Sequence, residues 1–141
     1  MQGIIAYLTF DGNAREAMTF YAEGLGAELE IMSFSDMPPS DEFKVPEEAK
    51  NRVMHARLSK GSTQLMASDT QPGMPFHQGN NFSISVGCES QQEIETLFAA
   101  IGKGGKVTMP LQDTFWGAHF GMLIDQFGIQ WMFNFDKPKP A

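Results

Sequence analysis

The sequence predicts an α+β fold in which two βαβββ modules form a curved, mostly antiparallel sheet with helices outside. Three observations predict it. A strand, a helix and three further strands follow one another and then recur in the same order. The two helices superimpose at an offset of 77 residues: Asn13 falls on Ser90, Glu16 on Glu93, Ala17 on Ile94, Phe20 on Leu97 and Tyr21 on Phe98. Capping and apolar positions therefore coincide together. The turn glycines Gly61 and Gly128 repeat at 67, so the first half carries about ten extra residues, which the 35–51 loop must hold.

Residues Ile4 to Phe10 are short, apolar and β-branched, which suits a buried strand, and Asp11-Gly12-Asn13 makes the turn after it. Asn13 is an N-cap residue with Glu16 as its capping-box partner. The stripe Ala14, Ala17, Met18, Tyr21 and Leu25 defines the helix, which Gly24 and Gly26 end. A strand over Glu28 to Phe34 follows, then the polar 35–51 loop, then a hairpin of Val53 to Ser59 and Thr63 to Ser68 turned at Lys60-Gly61-Ser62. In the second half Phe82 to Val86 is the first strand. Ser90 caps the helix with Glu93 as partner, and Ile94, Leu97, Phe98 and Ile101 form its stripe. Lys106 to Leu111, Phe120 to Ile124 and Ile129 to Phe135 complete the module, the last two joined at Asp125-Gln126-Phe127-Gly128. The tail, Lys137-Pro138-Lys139-Pro140, cannot continue a strand.

Organised this way, residues 1–141 read as a single domain of two modules, about 1–69 and 81–136, joined by a linker over 70–80 that holds Pro72, Gly73, Pro75 and Gly79. Neither module covers its own sheet, so joining the two buries the most apolar surface and leaves a cleft inside. A two-layer ferredoxin-like domain is the alternative, and the third strand of each unit argues against it. The apolar content of 42% suffices for a core, and charged residues at 19% are too few for a disordered chain. A net charge of −7 repels a phosphate backbone and excludes nucleic acid as a partner. Cys88 is the only cysteine, which rules out an intrachain disulfide and multi-thiolate zinc sites and points to a reducing compartment. The start lacks a basic, then apolar, leader pattern, and no stretch approaches the roughly 20 apolar residues that span a bilayer. The expectation is a soluble, cytoplasmic protein with no membrane partner.

The paired plan opens with Tyr7-Leu8-Thr9-Phe10-Asp11-Gly12-Asn13, Phe20-Tyr21 and Leu25-Gly26-Ala27-Glu28. It resembles the glyoxalase and bleomycin-resistance proteins of the vicinal oxygen chelate superfamily. Met54-His55-Ala56, Leu65-Met66-Ala67-Ser68-Asp69, Asp113-Thr114-Phe115-Trp116-Gly117, Phe120-Gly121, Asp125-Gln126-Phe127-Gly128 and Trp131-Met132 look like its PhnB-like branch, almost end to end. Some members of that branch carry a domain label naming demethylubiquinone methyltransferase, yet no Gly-x-Gly loop follows a strand here to receive S-adenosylmethionine. The resemblance also implies a homodimer whose clefts a partner completes. Metal-using relatives take four ligands, typically His and Glu, from the first and last strands of each half. Those positions carry over, within about one residue, to Ile5 or Ala6, Met66, Asn81 or Ser83, and Met132. None is a His or carboxylate, so neither a metal nor another cofactor is expected.

The remaining chemistry centres on His55. It lies mid-strand with Arg57 on the same face, where an imidazole can act as general base and a guanidinium can grip a carboxylate or phosphonate; the alternative is a histidine bonded across the sheet. Asp69 and Asp113 stand where they can reach the mouth of the cleft or accept from turn amides, and for Asp69 and Asp125 the amide role is favoured. Met66, Trp116, Phe120 and Trp131 are the soft and aromatic residues suited to lining a small-molecule pocket, or else to packing a core. His77 and His119 are read as surface histidines, and Cys88, beside Glu89, as inert. The loop acids Asp36, Asp41, Glu42, Glu47 and Glu48, beside Pro38, Pro39 and Pro46, suit either a lid or a solvated loop. The function expected is metal-independent small-molecule binding or weak catalysis. A metal-dependent lyase or dioxygenase and an antibiotic-sequestering protein are the alternatives.

Overall fold

The computed structural model describes residues 1–38 and 44–139. Pro39, Asp41 and Glu42 of the acidic loop, and Pro140, lie outside them. Chain contacts divide the molecule into two compact units, Met1–His77 and Gln78–Ala141, which part within the expected linker.

The first unit runs β1 (Tyr7–Phe10), α1 (Ala14–Leu25), β2 (Glu28–Ser33), β3 (Val53–Lys60) and β4 (Thr63–Asp69), with strands in the order β1-β4-β3-β2. β1 pairs parallel with β4, and the other pairs are antiparallel. Leu8, Phe10, Ala56, Leu58, Leu65 and Ala67 alternate along the strands toward α1 and are buried with Ala14, Ala17, Met18 and Tyr21. Gly26 ends α1 in the left-handed region, at φ 67 and ψ 40, where a Cβ would be strained. Strand β1 starts three residues later than the apolar run suggests. Ile4 is 94% exposed, so its hydrophobicity marks no core position within this chain. The N-cap of α1 also differs from expectation: Asn13 makes no side-chain cap bond. Asp69 accepts from the amides on either side of it, Gly12 and Ala14, as described below.

In the second unit β5 (Ile84–Cys88), α2 (Gln91–Gly102), β6 (Lys106–Asp113), β7 (Ala118–Ile124) and β8 (Gln130–Asp136) repeat the plan in the order β5-β8-β7-β6, with β5 parallel to β8. The eight strands thus pair as two mixed sheets of four. β5 is displaced two residues from the expected span, because its ladder with β8 begins at Ile84↔Trp131. Here the helix caps itself: Ser90 Oγ accepts from Glu93 N at 3.0 Å, and Glu93 Oε1 accepts from Glu89 N at 2.9 Å. Ile94, Phe98 and Ile101 pack onto the sheet, with Phe98 edge-on to Phe133 at 5.5 Å between ring centroids. Gly121 permits that approach, since a Cβ there would lie 2.8 Å from both Phe98 and Leu111. Pro110 sits in edge strand β6, where the register against β7 shifts, so its missing N–H costs no ladder bond within the sheet.

The excess lies where expected, and in the connection itself it is 15 residues, which a longer β6 and a longer β7–β8 turn in the second unit reduce to the net ten. Residues 34–52 join β2 to β3, whereas 114–117 suffice between β6 and β7. The described ends of the longer connection form short 3-10 turns at Phe34–Asp36 and Glu47–Ala49. Phe34 N to Arg52 O and Ser35 N to Lys50 O, each 3.1 Å, stitch those ends together, and Ala49 is buried.

Candidate functional site

Alternation along the first sheet puts Tyr7, Met66, Arg57 and Glu30 side by side in one row across its four strands, on the face turned away from α1. His55 lies on the same face, opposite Met32. Tyr7 Oη stands 3.2 Å from His55 Nδ1, and Arg57 Nη2 donates to Glu30 Oε2 at 2.9 Å. His55 and Arg57 therefore share a face, as their spacing predicts. Each, however, has a cross-strand partner that spacing did not reveal.

Asp69 is 6% exposed on the opposite, helix-side face. Its Oδ1 accepts from Gly12 N at 2.9 Å and Ala14 N at 3.0 Å, and its Oδ2 from Val53 N at 2.8 Å. One carboxylate thereby caps α1 and fastens the start of β3. These bonds fulfil the amide-accepting role favoured for Asp69.

In the second unit the row Ser85, Met132, Met122, Met109 and the row Gly87, Asn134, Phe120, Gln112 occupy the face away from α2. The hairpin 114–117 is held by Thr114, whose N–H and Oγ1 both bond across to Ala118. It presents Phe115, 98% exposed, and Trp116, 59% exposed, with Trp116 edge-on to Phe120 at 6.2 Å. Trp131 is core: it is 1% exposed and stacked on Phe133, which decides for packing between its two readings. Asp113 accepts from Lys137 Nζ at 2.6 Å and from His119 Nδ1 at 2.9 Å, and these bonds, Lys137's first, hold its carboxyl below the usual range. His119 is thus no free surface histidine; its side chain is only 13% exposed. His77 is exposed, as expected.

Burial pushes the Cys88 thiol up to about 11, and the charge of Glu93, rather than neighbouring Glu89, adds to the effect. Well below pH 9 its thiolate fraction is lower than that of an ordinary cysteine by about 100-fold, two pKa units. Iodoacetamide at pH 8 should therefore label Cys88 about 100-fold faster in urea-unfolded protein than in folded protein. Equal rates would refute the assignment. Between about pH 9 and 11 the unfolded thiol ionises while the folded one does not, so this group withdraws stability as pH rises through that window.

Of the positions that the resemblance implies for metal ligands, Met66 lies in β4 and Met132 in β8. Ile5, Ala6, Asn81 and Ser83 precede the strands; the residues paired with Met66 and Met132 are Tyr7 and Ser85. A phenol, a hydroxyl and two thioethers do not make a donor set for Zn²⁺, Mg²⁺ or Mn²⁺. Among the described residues no three His, Cys, Asp or Glu side chains converge to hold an ion. Nor is any helix among them long and apolar enough to cross a membrane.

Two βαβββ units with mixed four-stranded sheets define a glyoxalase-like α+β protein. The family model described as 3-demethylubiquinone-9 3-methyltransferase matches residues 2–133, and the chain belongs to that family, the PhnB-like branch of the vicinal oxygen chelate superfamily. It is 45% identical to protein PA1353 from Pseudomonas aeruginosa, with a TM-score of 0.82 over 96% of this chain and 98% of that one. A Bacillus cereus structure described as a putative 3-demethylubiquinone-9 3-methyltransferase, PhnB protein, is 30% identical, with a TM-score of 0.71 over 94% and 98% of the two chains. Protein YjdN of Escherichia coli K12 is 32% identical over 96% of each chain. Glyoxalase/bleomycin resistance/dioxygenase structures at 14% and 15% identity share the fold alone, with TM-scores of 0.62 and 0.66.

Proposed function

We infer that this protein is a glyoxalase-like binder or weak catalyst of a small organic molecule, working without a divalent metal, as a cytoplasmic homodimer. One observation carries the reading. The face of the first unit's sheet that offers an imidazole and a guanidinium, His55 and Arg57 beside Met32 and Met66, has no hard donor at Ile5, Ala6 or Met66, the positions that the resemblance implies for this half's metal ligands. The methionine row, Phe120 and Trp116 give the second unit an apolar, polarisable face that suits organic matter better than ions. Methyl transfer, which the family description names, is not inferred. No Gly-x-Gly loop follows a strand of this sequence to cradle S-adenosylmethionine.

The test is metal analysis of protein stripped by chelator, reloaded with Zn²⁺, Mn²⁺ or Mg²⁺ and desalted, with native mass spectrometry of untreated protein alongside. Substoichiometric metal and a released small organic molecule are expected. One tight metal equivalent per chain would overturn the reading in favour of a metal-dependent lyase or dioxygenase.

A further inference from the structure

We propose that His55 meets its ligand as a hydrogen-bond donor through Nε2–H, not as a general base, with Tyr7 as the positioning residue that fixes this tautomer. The proposal rests on the reading of that sheet face as a ligand site. Tyr7 Oη and His55 Nδ1 are 3.2 Å apart and the ring centroids 5.8 Å. Either atom can donate to the other, so chemistry decides the direction. A phenol O–H is more acidic than the N–H of neutral imidazole, and an imidazole nitrogen is a better acceptor than a phenol oxygen. The bond therefore runs from Tyr7 O–H to Nδ1. A neutral imidazole holds one proton, and with Nδ1 accepting, that proton sits on Nε2.

Among the described residues nothing consumes this donor. Tyr7 is the hydrogen-bond partner of the His55 ring among the described residues, and no buried side-chain nitrogen or oxygen among them lacks a partner, so Nε2 opens to solvent. Met32 lies opposite on β2, and Arg57, two residues along β3, projects from the same face with one nitrogen held by Glu30. A donor N–H and a guanidinium beside methionine thioethers select a small molecule bearing carbonyl or carboxylate oxygen on an apolar body. Nε2–H then polarises that oxygen, a task a cation performs where one is bound.

The first test reads the tautomer. In ¹⁵N-histidine-labelled protein above the imidazole titration, two-bond ¹⁵N–¹H correlations should show His55 as the Nε2–H form. Tyr7→Phe should raise the minor form toward the mixture of a free imidazole. An Nδ1–H ring in the parent, or identical spectra with and without the phenol, would overturn the proposal. The second test uses pyruvate as probe. Binding should shift the Nε2–H resonance, His55→Gln, whose amide nitrogen approximates Nε2, should bind within a few-fold of the parent, and His55→Ala should lose at least about tenfold. No binding at millimolar pyruvate, equal binding by His55→Ala, or better rescue by His55→Asn overturns the donor role. Those failures leave the metal and native-mass results standing, so the two readings fall separately.

Discussion

Asp69→Ala should lower stability by roughly 3–5 kcal/mol, which for a chain of this size moves the thermal midpoint by roughly 10 °C or more. The magnitude follows from three amides losing a charged acceptor at once. Of the three bonds, those from Ala14 and Val53 are buried, where water cannot replace the lost oxygen. Asp69→Asn keeps the shape but sets an NH₂ against one N–H, so its loss should be smaller, about 1–3 kcal/mol. Asn13→Ala is the control. Because that side chain makes no cap bond, its removal should change stability by under about 0.5 kcal/mol. Urea and thermal denaturation followed by circular dichroism measure all three. An Asp69→Ala loss below about 1 kcal/mol, or an Asn13→Ala loss as large, would show that the helix is capped otherwise.

That contrast shows where local sequence stopped being informative. The duplication, both helical stripes and every turn glycine used to set the modules are encoded at short range, by periodicity and turn chemistry, and the structure bears the order out. Ser90 and Glu93 do form the expected cap, since all its members lie within five residues. At Asn13 the same pattern is present and unused, and a carboxylate on β4, 55 residues from Ala14, bonds the first amide of the helix. Parallel pairing of β1 with β4 brings it there, and no local pattern states that register.

The candidate site divides the same way. That His55 and Arg57 share a face is legible from a period of two, and their burial pattern agrees, Ala56 and Leu58 being buried between and beyond them. Their partners, Tyr7 and Glu30, come from other strands, so only the ladder assigns them. Asp113 and His119 are in principle readable: Asp113 precedes the turn 114–117 and His119 lies one residue beyond it, past Ala118, where the two pair across β6 and β7. The order Asp, five intervening residues, His is the signal the sequence offers for it. The position of Trp131 was ambiguous because an apolar strand residue can face either side, and its register with Ile84 and Leu123 turns it toward α2.

The second large effect is expected at Asp125. Its Oδ1 accepts from Phe127 N at 2.8 Å and Ile129 N at 3.0 Å, and its Oδ2 from Trp131 Nε1 at 2.8 Å, with the carboxylate 3% exposed. The turn between β7 and β8 and the largest core side chain of the second unit thus hang on one group. Asp125→Ala removes the acceptor of the indole N–H in the core and of two turn amides, with an expected loss of roughly 3–5 kcal/mol. Trp131→Phe tests the indole share separately. It costs packing volume, by about 1–3 kcal/mol, but removes the N–H that needs an acceptor. In the double variant no indole is left unsatisfied, so the combined loss should fall short of the sum by about 1–2 kcal/mol. Strict additivity, measured by urea denaturation, would mean that Asp125 stabilises only the turn and that the indole bond contributes nothing. The exposed Trp116 offers an internal check by fluorescence, because its emission should stay that of a solvated indole in every variant while the buried component disappears with Trp131.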